Sequence, residues 1–524
     1  MNKIIYTSLV LTITLSLSTF SQPFSIGQIS ATYTDPDRNN RSVPTQIFYP
    51  AVTSGSNVPV SEGEFPVIVF GHGFVMVYSA YQFLWEALVP LGYIVALPTT
   101  EGSFSPNHLA LGLDLRFLIN KLKSEGNDPS SLLYGHVADS SAIMGHSMGG
   151  GAAFLACENF PQVSTLVTFA AAETNPSAIQ AAQNITVPTL VFSGSNDCVT
   201  PPPNHQIPMY DNLASDCKTF VSITGGGHCY FANYNFNCAF GESTCSPSPT
   251  ISRAQQHAII LDHLVPYFDY LLKGNTESWI TINNLLNNPS GITSSQECNL
   301  KLFDLKVLLE GPFDNGLMNT SLNSQSFLPL SQPYQSSPWN YPGQESVSEI
   351  PAGDVVDWLL IELRDAVNAS SANLSSVVAR KAAFIDANGS IIDHRTLKYP
   401  RFDIDVSQNL FVVLKHRNHL PLMSAFTVAG MDGLFEYDFT TDIFNSYGGL
   451  NSVSGLSGGK FGMIAGDIDA NGVIDSSDKT ILWESQSGTT GYLRSDIDLD
   501  GQTDNPDKND LWRKNLGKSS QLPD

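Results

Sequence analysis

The first half of this 524-residue chain predicts an α/β architecture, a mostly parallel sheet flanked by helices, with a β-rich region and a small acidic repeat behind it. Three observations predict it. Short β-branched runs alternate with helix-like segments from 22 to 274, the pattern of a sheet covered on both faces. From 275 to 459, strand-like runs follow one another across Gly-, Pro- and Ser-rich connections, which suits a β-sandwich. From 460 to 524 an acidic twelve-residue stretch occurs twice. A chain of this length exceeds one ordinary domain. The predicted division is therefore 1–21 as a leader, 22–274 as an α/β domain, 275–459 as a β-rich accessory domain and 460–524 as a repeat module.

Met1-Asn2-Lys3 followed by the apolar run Ile4 to Phe20 reads as a signal peptide cleaved near Gln22. The run is interrupted by Thr and Ser and is short for a bilayer span of about 20 apolar residues. No later segment predicts a span, so the expectation is a secreted protein, extracellular or at the cell surface. The 40 glycines, 31 prolines and 42% hydrophobic residues fit globular material rich in turns. A formal net charge of −23 argues against a nucleic-acid partner, which needs clustered Lys and Arg to neutralise phosphates. Six of the seven cysteines lie between Cys198 and Cys298, where export makes disulfides plausible and fifteen pairings are open. Cys157, in an apolar stretch, reads as a buried free thiol.

Within the α/β zone the predicted strands are Pro66–Phe70, Tyr93–Leu97, Ala142–Met144, Ser164–Phe169, Thr189–Phe192 and Thr219–Ile223. Leu109 to Lys123 reads as a helix with one buried face, and Ile259 to Leu272 as the helix that closes the domain. In the β-rich zone Phe303–Leu309, Val355–Ile361, Ala382–Ile385 and Leu410–Leu414 read as strands. Asp386 to Ser390 is a hairpin-turn candidate.

Gly145-His146-Ser147-Met148-Gly149 follows one of these strands and precedes a helix-like run, the context that gives a Gly-x-Ser-x-Gly motif its meaning. A sharp strand-to-helix turn would expose the Ser147 hydroxyl, and the flanking glycines would relieve its steric crowding. The Met148 amide would then face an oxyanion at the helix N-terminus, and the Phe74 amide, in the loop after Val67–Phe70, would be the second donor. An acid is expected after a downstream strand, where Asp197 stands; Asp211 and Asp216 read as solvated charges. The base is expected on a later loop, which singles out His228 after three glycines. His72 precedes the nucleophile and reads as loop-shaping, while His205, His257 and His263 are weaker candidates for the base. Together Ser147, His228 and Asp197 predict nucleophilic acyl transfer with no cofactor for the chemistry.

These features, with Asn196-Asp197 leading to Pro201, Ile207–Tyr210 and Gly225-Gly226-Gly227-His228, resemble the dienelactone-hydrolase and cutinase-like polyester hydrolases over about 60–275, an α/β-hydrolase family. The resemblance implies hydrolysis of a carboxylic ester, small or polymeric, with Phe74 matching an aromatic residue whose amide completes the oxyanion hole. The family carries a stacking Trp between nucleophile and acid, where this chain has Ala170-Ala171-Ala172-Glu173-Thr174. For disulfides the resemblance implies a Cys198–Cys229 bridge between the acid and base loops, with Cys217 and Cys238 as open alternatives.

The acidic repeat is similar to the tandem loops of dockerins and EF-hands, where oxygen donors surround a hard cation and a glycine makes the turn. The expected Ca²⁺ ligands are Asp467, Asp469, Asn471, the Val473 carbonyl, Asp475 and Asp478 in one loop. In the other they are Asp496, Asp498, Asp500, the Gln502 carbonyl, Asp504 and Asp507. Aspartate at the twelfth position favours the dockerin pattern, which implies a cohesin-like or cell-surface partner. Two other readings compete with the esterase: a serine peptidase on the same fold, and an adhesion or scaffold protein with a degenerate first zone. His416 and His419 lack a neighbouring carboxylate or cysteine in sequence and read as a surface strand end.

Overall fold

The computed structural model describes residues 23–394 and 397–523, so the expected leader at 1–21 lies outside the described residues. One ten-stranded sheet organises the first part. Its strands are β1 (Ser25–Asp35), β2 (Arg41–Ala51), β3 (Gly55–Ser56), β4 (Phe65–Gly71), β5 (Ile94–Pro98), β6 (Val137–His146), β7 (Thr165–Phe169), β8 (Thr189–Gly194), β9 (Cys217–Ile223) and β10 (Ile292–Cys298). They lie in the order β10-β9-β8-β7-β6-β4-β5-β2-β1-β3. The strands from β4 to β9 run parallel, whereas β1, β2 and β10 join antiparallel at the flanks. Every residue of β4 is buried, as expected for a strand covered on both faces.

The helices of this part are α1 (Gln82–Leu88), α2 (His108–Gly126), α3 (Met148–Cys157), α4 (Ala178–Ala182), α5 (Gln206–Asp211), α6 (Phe236–Glu242), α7 (Arg253–Lys273) and α8 (Thr276–Asn287). Period-two alternation along β4 feeds two separate cores. Val67 and Val69 pack with Leu115 and Leu118 of α2 and Phe154 of α3. Ile68 and Phe70 pack with Leu84 of α1, Leu264 and Phe268 of α7 and Trp279 of α8. The closing helix begins earlier than its apolar pattern, because Ser252 and Gln255 form a capping box; it ends at Gly274, whose φ of 71° only glycine adopts readily.

The sheet runs past the expected boundary at 274. α8 buries Trp279, Ile282 and Leu286 on the same core, and β10 pairs with β9 along its whole length. Most of β10 is exposed, Thr293, Ser294 and Ser295 among it, so an edge strand of this composition carries no hydrophobic alternation to read.

Beyond it, the β-rich region holds a four-stranded sheet ordered Arg401–Asp403, Leu300–Lys306, Leu434–Asp438, Gly430–Met431. A five-stranded sheet runs Ile391–Ile392, Val377–Asp386, Val355–Ala366, Asn409–Lys415, Leu422–Met423. Both sheets contribute to one core, with Phe303 and Leu305 from the first and Trp358, Leu360, Phe384 and Val412 from the second. The turn expected at Asp386 to Ser390 reverses the chain between paired residues Ile385 and Ile391. His416 and His419 do not form a surface strand end. Both are buried, and His416 Nε2 lies 3.2 Å from a carboxylate distant in sequence, Asp357 Oδ2. Among the described residues no helix is long and apolar enough to cross a membrane.

Candidate active site

Ser147 sits between β6 and α3 with φ 55° and ψ −121°, a strained left-handed conformation for a residue with a side chain. The strain is held by its surroundings. The Ser147 amide donates to Phe169 O at 2.9 Å, and its carbonyl accepts from Gly151 N at 3.0 Å and Ala172 N at 2.8 Å. A Cβ at Gly145 would lie 2.1 Å from Gly149 O, and one at Gly149 would lie 2.2 Å from Gly71 O. Backbone packs against backbone here, which explains both motif glycines. Met148 opens α3, so its amide is among those without an intrahelical acceptor.

His228 follows β9 and Asp197 follows β8, the positions expected for them. His228 Nε2 lies 2.9 Å from Ser147 Oγ, and His228 Nδ1 lies 2.8 Å from Asp197 Oδ2. All three are buried. Asp197 Oδ1 accepts from the Val199 and Thr200 amides at 2.9 and 2.8 Å, and Oδ2 lies 2.8 Å from the Thr200 hydroxyl. The base loop is pinned by Gln256, which accepts from Gly227 N at 3.0 Å and donates to Gly227 O at 2.9 Å. Such a relay can move a proton from the serine hydroxyl to the imidazole while the carboxylate fixes the tautomer.

His146 joins the two sides of the site. Burial holds its pKa well below the usual histidine value, with the neighbouring His228 as a further cause, so the ring is neutral. Its Nε2 donates to the His228 carbonyl at 3.1 Å, which leaves Nδ1 to accept from the Tyr81 hydroxyl at 3.0 Å. Tyr81 in turn accepts from Gly73 N at 2.8 Å, the residue before Phe74. The loop expected to carry the second oxyanion donor is thereby tied to the base loop. Sequence reasoning gave no role to His146, Tyr81, Thr200 or Gln256; His146 was visible inside the motif, but its partners lie 65 and 82 residues away.

The other histidines weighed as the base take other roles. The two ring nitrogens of His72 lie 2.9 Å from Gly73 O and 2.8 Å from Thr100 O, a loop brace. His205 Nδ1 accepts from Glu173 N at 2.9 Å, and His257 stacks on Phe83 with centroids 3.7 Å apart. His263 Nδ1 lies 2.8 Å from Ile259 O within α7.

The expected Cys198–Cys229 bridge is absent. The pairs are Cys198–Cys245, Cys217–Cys298 and Cys229–Cys238, and Cys157 is free and buried as expected. The reason is an intervening segment. α6 and its C-terminal turn meet both loops, so the acid loop and the base loop are each stapled to it instead of to one another. Glu242 of α6 also accepts from Cys229 N at 3.1 Å. Above Ser147 opens a cavity of about 280 Å³ lined by Phe74, Met76, Val199, His228, Phe236 and Phe240 among others.

In the acidic loops, carboxylate oxygens of Asp467, Asp469 and Asp478 gather within 4.8 Å of one another, as do those of Asp496, Asp498 and Asp500. Burial, followed by the nearby Asp478, raises Asp467 to about 7; burial raises Asp496 to about 8, with Asp507, Asp498 and Asp500 pushing the same way against Arg417. Hard oxygen donors that are buried and mutually repelling suit a divalent cation. Asp475 accepts from Ser477 N at 2.6 Å, and Asp507 accepts from the Ile497, Asp498 and Asp504 amides at 2.6, 3.1 and 2.8 Å. The two copies face each other reciprocally: Trp483 Nε1 donates to Asp504 O at 3.2 Å and Trp512 Nε1 to Asp475 O at 3.0 Å.

Residues 37–245 match the family model described as PETase, PET hydrolase-like. Among curated proteins, the chain is 25% identical over 175 residues to cutinase est1 of Thermobifida alba, covering 32% of this chain and 55% of that one. It is 24% identical over 188 residues to bis(hydroxyethyl) terephthalate hydrolase of Streptomyces coelicolor, covering 35% and 54%. To cutinase 1 of Thermobifida cellulosilytica it is 24% identical over 176 residues, covering 32% and 63%. The chain spans about half the length of the first curated relatives it matches. The matched segment contains Ser147, Asp197 and His228, so the part of the chain that carries this relay is the part similar to PET hydrolase-like proteins.

Proposed function

We propose that this chain is a secreted serine carboxylic-ester hydrolase. The observation that carries the reading is the Ser147–His228–Asp197 relay, at 2.9 and 2.8 Å, under an apolar cavity; the similarity to cutinases supports it. In this mechanism His228 takes the Ser147 proton as Oγ attacks the ester carbonyl, and Asp197 stabilises the imidazolium. The Met148 and Phe74 amides hold the tetrahedral oxyanion, which collapses to an acyl-enzyme as His228 protonates the leaving alcohol. Water, deprotonated by His228, then releases the acid. A small or polymeric ester fits the reading.

The acidic loops are proposed as two structural Ca²⁺ sites, supported by the two carboxylate clusters, in a module that would also meet a cohesin-like or cell-surface partner.

The test is stoichiometric labelling by a fluorophosphonate, together with hydrolysis of p-nitrophenyl esters and of peptide anilides. Esters are expected to be cleaved and anilides spared, and Ser147→Ala is expected to abolish labelling and lower kcat by at least about 10³-fold. Folded wild-type protein that neither labels nor cleaves esters would sink the reading; cleavage of anilides in preference would make it a peptidase.

A further inference from the structure

Four phenylalanines line the cavity over Ser147, and two of them come from α6, a segment remote in sequence from the nucleophile and its motif. Phe236 and Phe240 are four residues apart and so share one face of α6. Their rings lie 6.3 Å apart, tilted by 22°, and they are 69% and 65% exposed. Phe74 and Phe104, which line the same cavity, meet edge to face at 6.2 Å and are themselves 47% and 84% exposed. Rings this open add little to the core, and a contiguous exposed apolar patch next to a reactive group marks a binding surface.

α6 has seven residues, too few to be stable as an isolated helix. Its position is imposed from outside. Cys238 is bonded to Cys229, next to His228, and Cys245, just beyond the helix, to Cys198, next to Asp197. Asn235 caps it through Cys238 N at 3.1 Å, and Asn237 Nδ2 reaches across to Val75 O at 3.2 Å. The aromatic wall is therefore referenced to the acid and the base of the relay themselves.

We propose that Phe236 and Phe240 are specificity-determining residues: with Phe74 and Phe104 they form a slot that grips the flat or extended apolar arm of an ester whose carbonyl sits at Ser147. The substrate class is esters bearing an aryl or medium-chain alkyl arm, selected over short acetyl esters. This inference rests on the serine-hydrolase reading above for its catalytic consequence, although the slot also binds without chemistry.

The test compares p-nitrophenyl acetate, octanoate and benzoate on wild type, Phe236→Ala, Phe240→Ala and the double variant. The ratio of kcat/KM for octanoate or benzoate to that for acetate is expected to fall roughly tenfold in the double variant, mainly through KM, at unchanged melting temperature. An unchanged ratio overturns the proposal. Calorimetric binding of 4-phenylbutanol separates the two readings: roughly tenfold weaker binding in the double variant supports the slot even where wild type proves inert to esters. Equal affinity for both proteins overturns it.

Discussion

Four hydrogen bonds converge on Asp197, from the Val199 and Thr200 amides, the Thr200 hydroxyl and His228. The Thr200 hydroxyl also accepts from Gln206 Nε2 at 3.1 Å, and its own proton has two acceptors, Asp197 Oδ2 at 2.8 Å and Ala170 O at 3.1 Å. Thr200→Val keeps the shape and deletes that donor. It is expected to lower kcat about tenfold with little change in KM, the signature of an interaction that matters as the imidazolium forms. Far from this site, Asp357 is fully buried. Burial pushes its carboxyl up, but the Arg417 charge, helped by His416 and Tyr492, overrules burial and holds it at about 2. With an unfolded value of about 3.9, the stability it contributes is present above about pH 4 and lost as the pH falls through 2. Asp357→Asn should therefore cost about 3 kcal/mol at neutral pH and flatten the acid decline below pH 4, as read by urea unfolding across pH.

At the scale of elements, β10 and α6 are each fastened by disulfides in addition to hydrogen bonds. Cys217–Cys298 closes 81 residues and fastens the polar edge strand β10 to β9. Replacing both cysteines by serine is expected to destabilise the α/β part by about 3–4 kcal/mol through the freed unfolded chain, measured by denaturant unfolding. The proposed esterase activity per folded molecule should survive, since β10 lies at the sheet edge away from Ser147. The elbow at Ser147 depends instead on packing. The 2.1 and 2.2 Å approaches at Gly145 and Gly149 leave no space for a methyl group against unyielding backbone.

Across the whole molecule, the β-rich region grips the second acidic loop. Asn319, Gln325 and Asn418 donate to the carbonyls of Asp498, Asp500 and Asp496 at 2.9, 2.7 and 2.6 Å. Leu499, at φ 59°, inserts into the core that also holds Trp358 and Phe384. A leucine in the left-handed region costs about 1 kcal/mol or more, offset here by complete burial. Leu499→Ala is expected to cost about 3 kcal/mol and to weaken binding at the proposed Ca²⁺ site, because the backbone between the proposed ligand positions loses its anchor. Chelation should lower the melting temperature of wild type, and the variant should show a smaller shift, both read by calorimetry. A chelator without effect on wild type would remove Ca²⁺ from the account.

What sequence alone determined was whatever short-range chemistry dictates. The glycines at 145 and 149, the β-branched runs of the parallel strands and the ligand spacing within each acidic loop are each legible within a dozen residues, and the order of Ser147, Asp197 and His228 follows from short motifs read along the chain. Tertiary structure decided the pairings. Which cysteines meet, that a mostly polar strand joins the edge of the sheet, that His416 is buried against Asp357, and that two phenylalanines of α6 line the cavity over Ser147 all depend on contacts between residues distant along the chain. Such contacts are chosen by packing and chain closure, which leave no periodicity in sequence to read.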